Sequence, residues 1–155
     1  MKILITSLLI LMFLIPCHSQ LLEEGSLVRA EDNDTIYLVF NRELHHVPNV
    51  VVFSKLFIPN ALVSVRKKME LQTLPIGTPL RDSRLIKDDS PAIYLTYDTY
   101  KVHIGNTFTF DTFKFNWGEI QNVDPEEIKK LTTLHPLELI PPVVNKSDFQ
   151  MCGND

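Results

Sequence analysis

The chain has 155 residues, 45% of them apolar and 22% charged, with 5 Gly, 10 Pro and 2 Cys and a formal charge of -4. That is enough for one domain of ordinary size and too apolar for a disordered chain. It excludes a collagen-like or disulfide-dense scaffold and a four-thiolate zinc site, and the acidic balance argues against nucleic acid as the main partner.

Met1 and Lys2 give a positive start, and Ile3 to Ile15 is apolar apart from Thr6 and Ser7 before Pro16 breaks the run. A membrane-spanning helix needs roughly 20 apolar residues, which this run does not reach. Small residues at Cys17 and Ser19 fit a signal peptidase site, so residues 1–19 read as a signal peptide cleaved after Ser19. Cleavage removes Lys2, leaving 14 basic against 19 acidic residues and a net charge of -5. It also removes Cys17, so Cys152 is left alone. The mature chain is expected to be secreted and extracellular, with no membrane association.

From Leu27 onward the sequence repeats itself at an offset of 57. Ile36-Tyr37-Leu38 matches Ile93-Tyr94-Leu95, His46 meets His103, Asn49 meets Asn106, Phe53 meets Phe110, and Pro79-Leu80 meets Pro136-Leu137. With one-residue gaps, Leu27-Val28-Arg29 lies on Leu85-Ile86-Lys87, and Leu62 and Val65 lie on Ile120 and Val123. Repeat 1 spans residues 25–80, repeat 2 spans residues 81–137, and residues 138–155 form an extended tail. In the first copy, strands are expected at Leu27 to Arg29, Ile36 to Phe40 and Glu43 to Val47, the last two joined by a turn at Asn41-Arg42. The second copy gives Leu85 to Lys87, Ile93 to Tyr97, a turn at Asp98-Thr99, and Tyr100 to Ile104. Short helices capped by Asn49 and Asn106 follow, then brief strands at Leu62 to Val65 and Ile120 to Val123. Asp124-Pro125-Glu126-Glu127 opens a further helix, with its cap, its first-turn proline and its carboxylates at the positive end. The expected fold is α+β: two tandem repeats, each a small antiparallel β-meander with short helices, packed as one pseudo-symmetric domain. Leu38, Phe53, Val65, Leu74, Leu95, Phe110, Val123 and Leu131 are the expected core.

Several of these strings together resemble a known pattern. Gly25-Ser26-Leu27-Val28-Arg29, Ile36-Tyr37-Leu38-Val39, His46-Val47-Pro48-Asn49 and Leu74-Pro75-Ile76-Gly77-Thr78-Pro79-Leu80 resemble a short repeat of secreted and cell-surface proteins, many of them bacterial. The second copy is similar in Phe115-Asn116-Trp117, Ile120 and Val123. The resemblance covers about 110 residues, from Gly25 to Leu137. It departs at the hairpin turn, where Arg42 or Thr99 replaces an expected Gly, and at Gly105, which replaces the proline seen at Pro48. It implies extracellular repeat architecture and brings no catalytic residue with it.

The remaining residues offer few groups for catalysis. His45 and His46 point to opposite faces of a strand and cannot easily share a metal, and His46 with His103 supplies too few ligands for a zinc site. No nucleophile elbow or phosphate-cradling glycine loop occurs. The acidic loops Glu31-Asp32-Asn33-Asp34 and Asp88-Asp89-Ser90 read as solvated rather than as calcium sites. No catalytic residue, metal or cofactor is therefore assigned. Among the aromatic residues of repeat 2, Tyr97, Tyr100 and Trp117 are the candidates for an exposed ligand-binding patch, the phenylalanines being core. Asn33-Asp34-Thr35 and Asn145-Lys146-Ser147 are glycosylation sequons. An unpaired Cys152 in an oxidising compartment points to an intermolecular disulfide, and so to a disulfide-linked homodimer or a link to a partner. The expected function is a secreted, non-enzymatic binding or matrix-associated protein whose partner is an extracellular protein or polysaccharide. The competing expectation is a secreted hydrolase, or an inhibitor of one, with its site at the repeat interface.

Overall fold

The computed structural model describes residues 22–141. The expected signal peptide, Asn145 and Cys152 lie outside the described residues. The first repeat runs β1 (Leu27–Ala30), β2 (Ile36–Phe40), β3 (Glu43–Val47), α1 (Val50–Leu56), β4 (Val63–Arg66) and α2 (Lys68–Leu71). The second runs β5 (Arg84–Lys87), β6 (Ile93–Tyr97), β7 (Tyr100–Ile104), α3 (Thr107–Thr112), a 3-10 turn at Trp117–Glu119, β8 (Gln121–Asn122), α4 (Pro125–Lys129) and β9 (Thr132–Thr133). The fold is α+β, with one sheet ordered β3-β2-β1-β4 and the other β8-β5-β6-β7-β9. In each, an antiparallel meander of three strands gains a fourth strand parallel to its first, β4 on β1 and β8 on β5. The sheets are thus mixed rather than purely antiparallel. The β9 pairing of Lys101 with Thr133 recurs in repeat 1, 57 residues earlier, as a single parallel bridge between Leu44 and Ile76.

Local chemistry explains these elements. Asn41 and Arg42 both adopt left-handed backbone, φ 51° and 61°, as a two-residue hairpin with right-handed strand twist requires. Arginine is a poor residue for that conformation. The Glu24 carboxylate offsets the strain by accepting hydrogen bonds from the backbone N–H of Asn41 at 2.9 Å and of Arg42 at 2.8 Å. Asn49 and Asn106 cap α1 and α3, each Oδ1 accepting from the N–H three residues on, at 3.0 and 2.8 Å. Three consecutive valines favour strand, yet α1 forms because it is capped and because Val52 and Leu56 are buried beneath it.

The inner faces of both sheets share one core. Leu38, Phe40, Leu56 and Phe57 of repeat 1 pack with Leu85, Leu95, Phe110, Phe113 and Phe115 of repeat 2. At its centre Phe57 and Phe115 form an antiparallel bridge, their rings stacked 5.8 Å apart. Ile58 N–H donates to Lys114 carbonyl oxygen and Asn116 N–H to Leu56 carbonyl oxygen, both at 2.9 Å. Exchanging the repeats exchanges these two bonds, so the pseudo-twofold axis runs through the bridge. A smaller cluster of Val28, Val39, Leu44 and Leu71 lies on the outer face of the first sheet, under α2.

The expected core holds in part. Leu38, Leu95 and Phe110 are buried; Phe53, Leu74, Val123 and Leu131 are half-buried; Val65 is 53% exposed. The register explains the miss. Arg29 pairs with Val65 and its counterpart Lys87 pairs with Asn122, so Val65 corresponds to exposed Asn122 rather than to Val123. Repeat 2 gains one residue near Lys114, which takes the left-handed conformation at φ 59°, and loses one between Phe115 and Asn122, where the offset returns from 58 to 57.

Because neither sheet buries its inner face without the other, the two repeats are expected to unfold in one transition. Phe57→Ala or Phe115→Ala should each destabilise the whole chain by about 3–5 kcal/mol, read as a shift of the single urea midpoint. Two separable transitions would show that the repeats fold independently.

Paired clefts on the two repeats

The three aromatic candidates do not form one patch. Tyr97 and Tyr100 pair across the hairpin end of β6 and β7, while Ile93 and Ile104, the opposite end of the same ladder, line the cleft that also holds Trp117. Tyr97 is 3% exposed, contrary to the exposure expected beside a turn. Its ring packs edge-on to Phe40 and His45 of repeat 1, because the hairpin tip meets the first sheet rather than solvent. Burial, helped by Glu43 and Tyr100, pushes its phenol pKa up to about 12. Tyr100 is half-buried against Tyr97. Trp117 remains 48% exposed. It stacks on Phe110 at 3.9 Å and donates from Nε1 to Asp111 Oδ1 at 3.1 Å, so the indole is held in place.

Trp117 borders a cleft of about 310 Å³ built by Ile93, His103, Ile104, Asn106 and Phe110. Repeat 1 has a cleft of about 480 Å³ built by Ile36, His46, Val47, Asn49 and Phe53. Four of these five pairs are identical 57 positions apart and the fifth sets Val47 against Ile104, while Asp34, Thr35, Pro48 and Val50 correspond in position to Pro91, Ala92, Gly105 and Thr107. Nine wall positions therefore recur. Each cleft lies where the start of one strand, the end of its hairpin partner and the capped start of a helix meet. His46 lies 5.8 Å from the ring of Tyr37 and His103 lies 5.5 Å from that of Tyr94, so each imidazole keeps the same aromatic neighbour. Only Asn33 in the first cleft and Trp117 in the second lack a counterpart wall residue. In the sequence the matched asparagines read as helix caps, the phenylalanines as core and the histidines as too few ligands for a metal. Their polar members were the available clue, since core packing alone does not ask for a repeated half-exposed histidine.

The acidic loops show local rather than ligand-directed bonding. Asn33 Oδ1 accepts from Thr35 N–H at 2.8 Å and from its hydroxyl at 2.7 Å. Asp88 does the same with Ser90, and the Ser90 hydroxyl and amide hold its carboxyl below the usual range. The Asn33 sequon is exposed and lies at the rim of the first cleft. Among the described residues no three His, Cys, Asp or Glu side chains gather as a metal site, and no helix is long and apolar enough to cross a membrane.

Besides Tyr97, an imidazole sits inside the shared core. His45 is 3% exposed and stacks on Phe40 at 3.5 Å. Its Nδ1 lies 2.8 Å from Thr78 carbonyl oxygen, which fixes the proton on that nitrogen. Nε2 has no hydrogen-bond partner, with Glu43 Oε2 at 3.5 Å. A side chain at Gly77 would strike this pair, its Cβ falling 2.5 Å from both the Glu43 carboxylate and the imidazole Cε1. The corresponding residue of repeat 2 is buried Val102. Two further hollows straddle the repeat boundary. One, of about 260 Å³, lies by Gly25, Leu62 and Lys114; the other, of about 450 Å³, lies by Lys55, Asp82 and Arg84. In the second, Arg84 is engaged by Glu127.

No protein-family model, curated protein or solved structure gives a significant match to this chain.

Burial holds the pKa of His45 below its ordinary 6.5, outweighing the opposing pull of Thr78, Glu43 and the more distant Glu24. The unfolded chain therefore binds a proton that the native chain refuses. Stability is full above about pH 6.5 and falls as pH drops from there toward the folded pKa. Urea midpoints at pH 7.5 and pH 5 should show this fall. It should flatten in His45→Val, the residue repeat 2 uses; an unchanged slope would place the titration elsewhere.

Proposed function

We propose that this is a secreted, non-enzymatic binding protein that presents two equivalent clefts to one extracellular protein or polysaccharide. The duplicated cleft carries this reading. Nine wall positions recur around half-exposed His46 and His103, including polar residues that a packing requirement alone would let drift. Two like sites on one rigid body favour a ligand with repeating epitopes, because the second contact forms at high effective concentration. The leader-like residues 1–19 and the resemblance to repeats of secreted proteins support an extracellular setting. The sequons at Asn33, which is exposed, and at Asn145 are consistent with it. Trp117, held flat on Phe110, suits apolar ring stacking in the second cleft. The hollows at the repeat boundary support the hydrolase or inhibitor reading less, since the chemistry gathered there is a salt-bridged arginine and scattered carboxylates rather than a nucleophile with its base.

Purified mature protein presented to polysaccharides and matrix proteins should bind one class with two sites per chain. His46→Ala or His103→Ala should each leave one site, and the double change none. Trp117→Ala should weaken the second cleft alone, by about 1 kcal/mol. Binding that survives the double change would overturn the paired-cleft reading.

Cys152 is expected to link two chains, or a chain and its partner, in the oxidising exterior. Non-reducing electrophoresis should show a dimer that disappears in Cys152→Ser. A monomer with a freely titratable thiol would remove that idea.

A further inference from the structure

The outer face of repeat 1 carries a groove of about 670 Å³, separate from the paired clefts. Tyr37 and Leu44 form its floor, Leu71, Leu74 and Ile76 one wall, and Asp32 lies at its rim. Repeat 2 fills the same place with its own side chain. Lys101 stands where Leu44 stands, 57 residues on. Its Nζ lies 5.7 Å from the Tyr94 ring centroid and donates a 2.7 Å hydrogen bond to the Ile128 carbonyl oxygen, in the last turn of α4.

Each group that holds this lysine has its counterpart in repeat 1 at the same offset. Tyr37 stands for Tyr94 and Leu71 for Ile128. The backbone bridge from Leu44 to Ile76 stands for that from Lys101 to Thr133. Even the turn is reproduced: Leu74 N–H donates to Leu71 carbonyl oxygen at 3.2 Å, as Leu131 N–H does to Ile128 at 3.2 Å. A carbonyl oxygen has two lone pairs. In repeat 2 the second one takes the ammonium. In repeat 1 Leu44 is too short and apolar to reach it, and the aromatic floor is left with open space above it.

We propose that this groove receives the lysine side chain of a partner polypeptide, in the pose that Lys101 adopts within the chain. The alkyl stem lies over Tyr37 and against Leu44, where stem burial and attraction of the cation to the ring act together. The ammonium donates to the Leu71 carbonyl oxygen. The volume exceeds that of one lysine side chain, so residues flanking it also fit. The electrostatics agree. The bordering loop supplies Glu31, Asp32 and Asp34, and the mature chain carries -5. Lys68, the nearest competing cation, is drawn to Asp32 Oδ2 at 3.4 Å. The groove shares only Asn33 and Thr35 with the first cleft, so this inference stands apart from the paired-cleft function.

The test is a titration of the ¹⁵N-labelled mature chain with a blocked pentapeptide, acetyl-Gly-Ser-Lys-Ser-Gly-amide, followed by amide chemical shifts. Shifts are expected at Tyr37, Leu71 and Leu74. A norleucine peptide keeps the stem without the charge and should bind at least fivefold more weakly. Leu44→Lys should close the groove and remove those shifts while the rest of the spectrum stays native. Lys101→Leu should open the matching groove and bring new shifts at Tyr94 and Ile128, which gives an independent readout if Leu44→Lys fails to fold. Butylamine binding as well as the peptide would assign the groove to free amines and overturn the polypeptide partner. Equal binding of the norleucine peptide, shifts away from the groove, no shifts at all, or no new site in Lys101→Leu would each overturn the proposal.

Discussion

The stacked bridge of Phe57 on Phe115 is the contact on which the rest of this molecule turns. Each repeat makes a sheet of only four or five strands whose inner face is apolar and whose helices are short. Such a unit cannot bury enough surface to offset its own conformational entropy. Joining the two inner faces solves this for both at once, and the reciprocal backbone bonds at Ile58 and Asn116 set the angle at which they join. The outer faces are then left to α2, α4 and solvent; the groove of repeat 1 lies there, while the paired clefts lie at the sheet ends, where each hairpin meets a capped helix.

Duplication also gives the molecule an internal control. Where the two copies agree, as at Asn49 and Asn106 or His46 and His103, the shared residue answers a need common to both units. Where they differ, the contrast isolates one side chain against a nearly constant background. His45 against Val102 places an imidazole in the interface of one repeat and a hydrocarbon at the same position of the other. Leu44 against Lys101 decides whether a groove stands open or is occupied. Trp117 adds to one cleft an indole that the other lacks.

Much of the secondary structure was readable before any tertiary information. The strand at Ile36–Phe40 and its copy at Ile93–Tyr97 are dense in β-branched and aromatic residues. The helix at Pro125–Lys129 carries its cap, proline and first-turn acids in plain order. The site was much less readable. Tyr97 beside a turn looked exposed, and it is buried because the hairpin tip meets another sheet, a contact no local pattern encodes. Val65 reads as core in the sequence, but the stretch from Phe115 to Asn122 is one residue shorter than that from Phe57 to Val65, which makes Asn122 its counterpart. A period-two element sends each side chain to the other face when its register shifts by one.

The sequence by itself determined the duplication, the order of strands and turns, the helix caps and the α+β class, because these depend on residues a few positions apart or on identity repeated at a constant spacing. The tertiary structure alone decided which residues share a surface. It separated Trp117 from Tyr97 and Tyr100, which lie toward opposite ends of one hairpin. It brought His103, Asn106 and Phe110 to one cleft and His46, Asn49 and Phe53 to its twin. It placed Lys101 over Tyr94, so that the unfilled space above Tyr37 became visible. Those relations follow from sheet register and from the angle between two packed faces, and both are set by long-range burial rather than by neighbours along the chain.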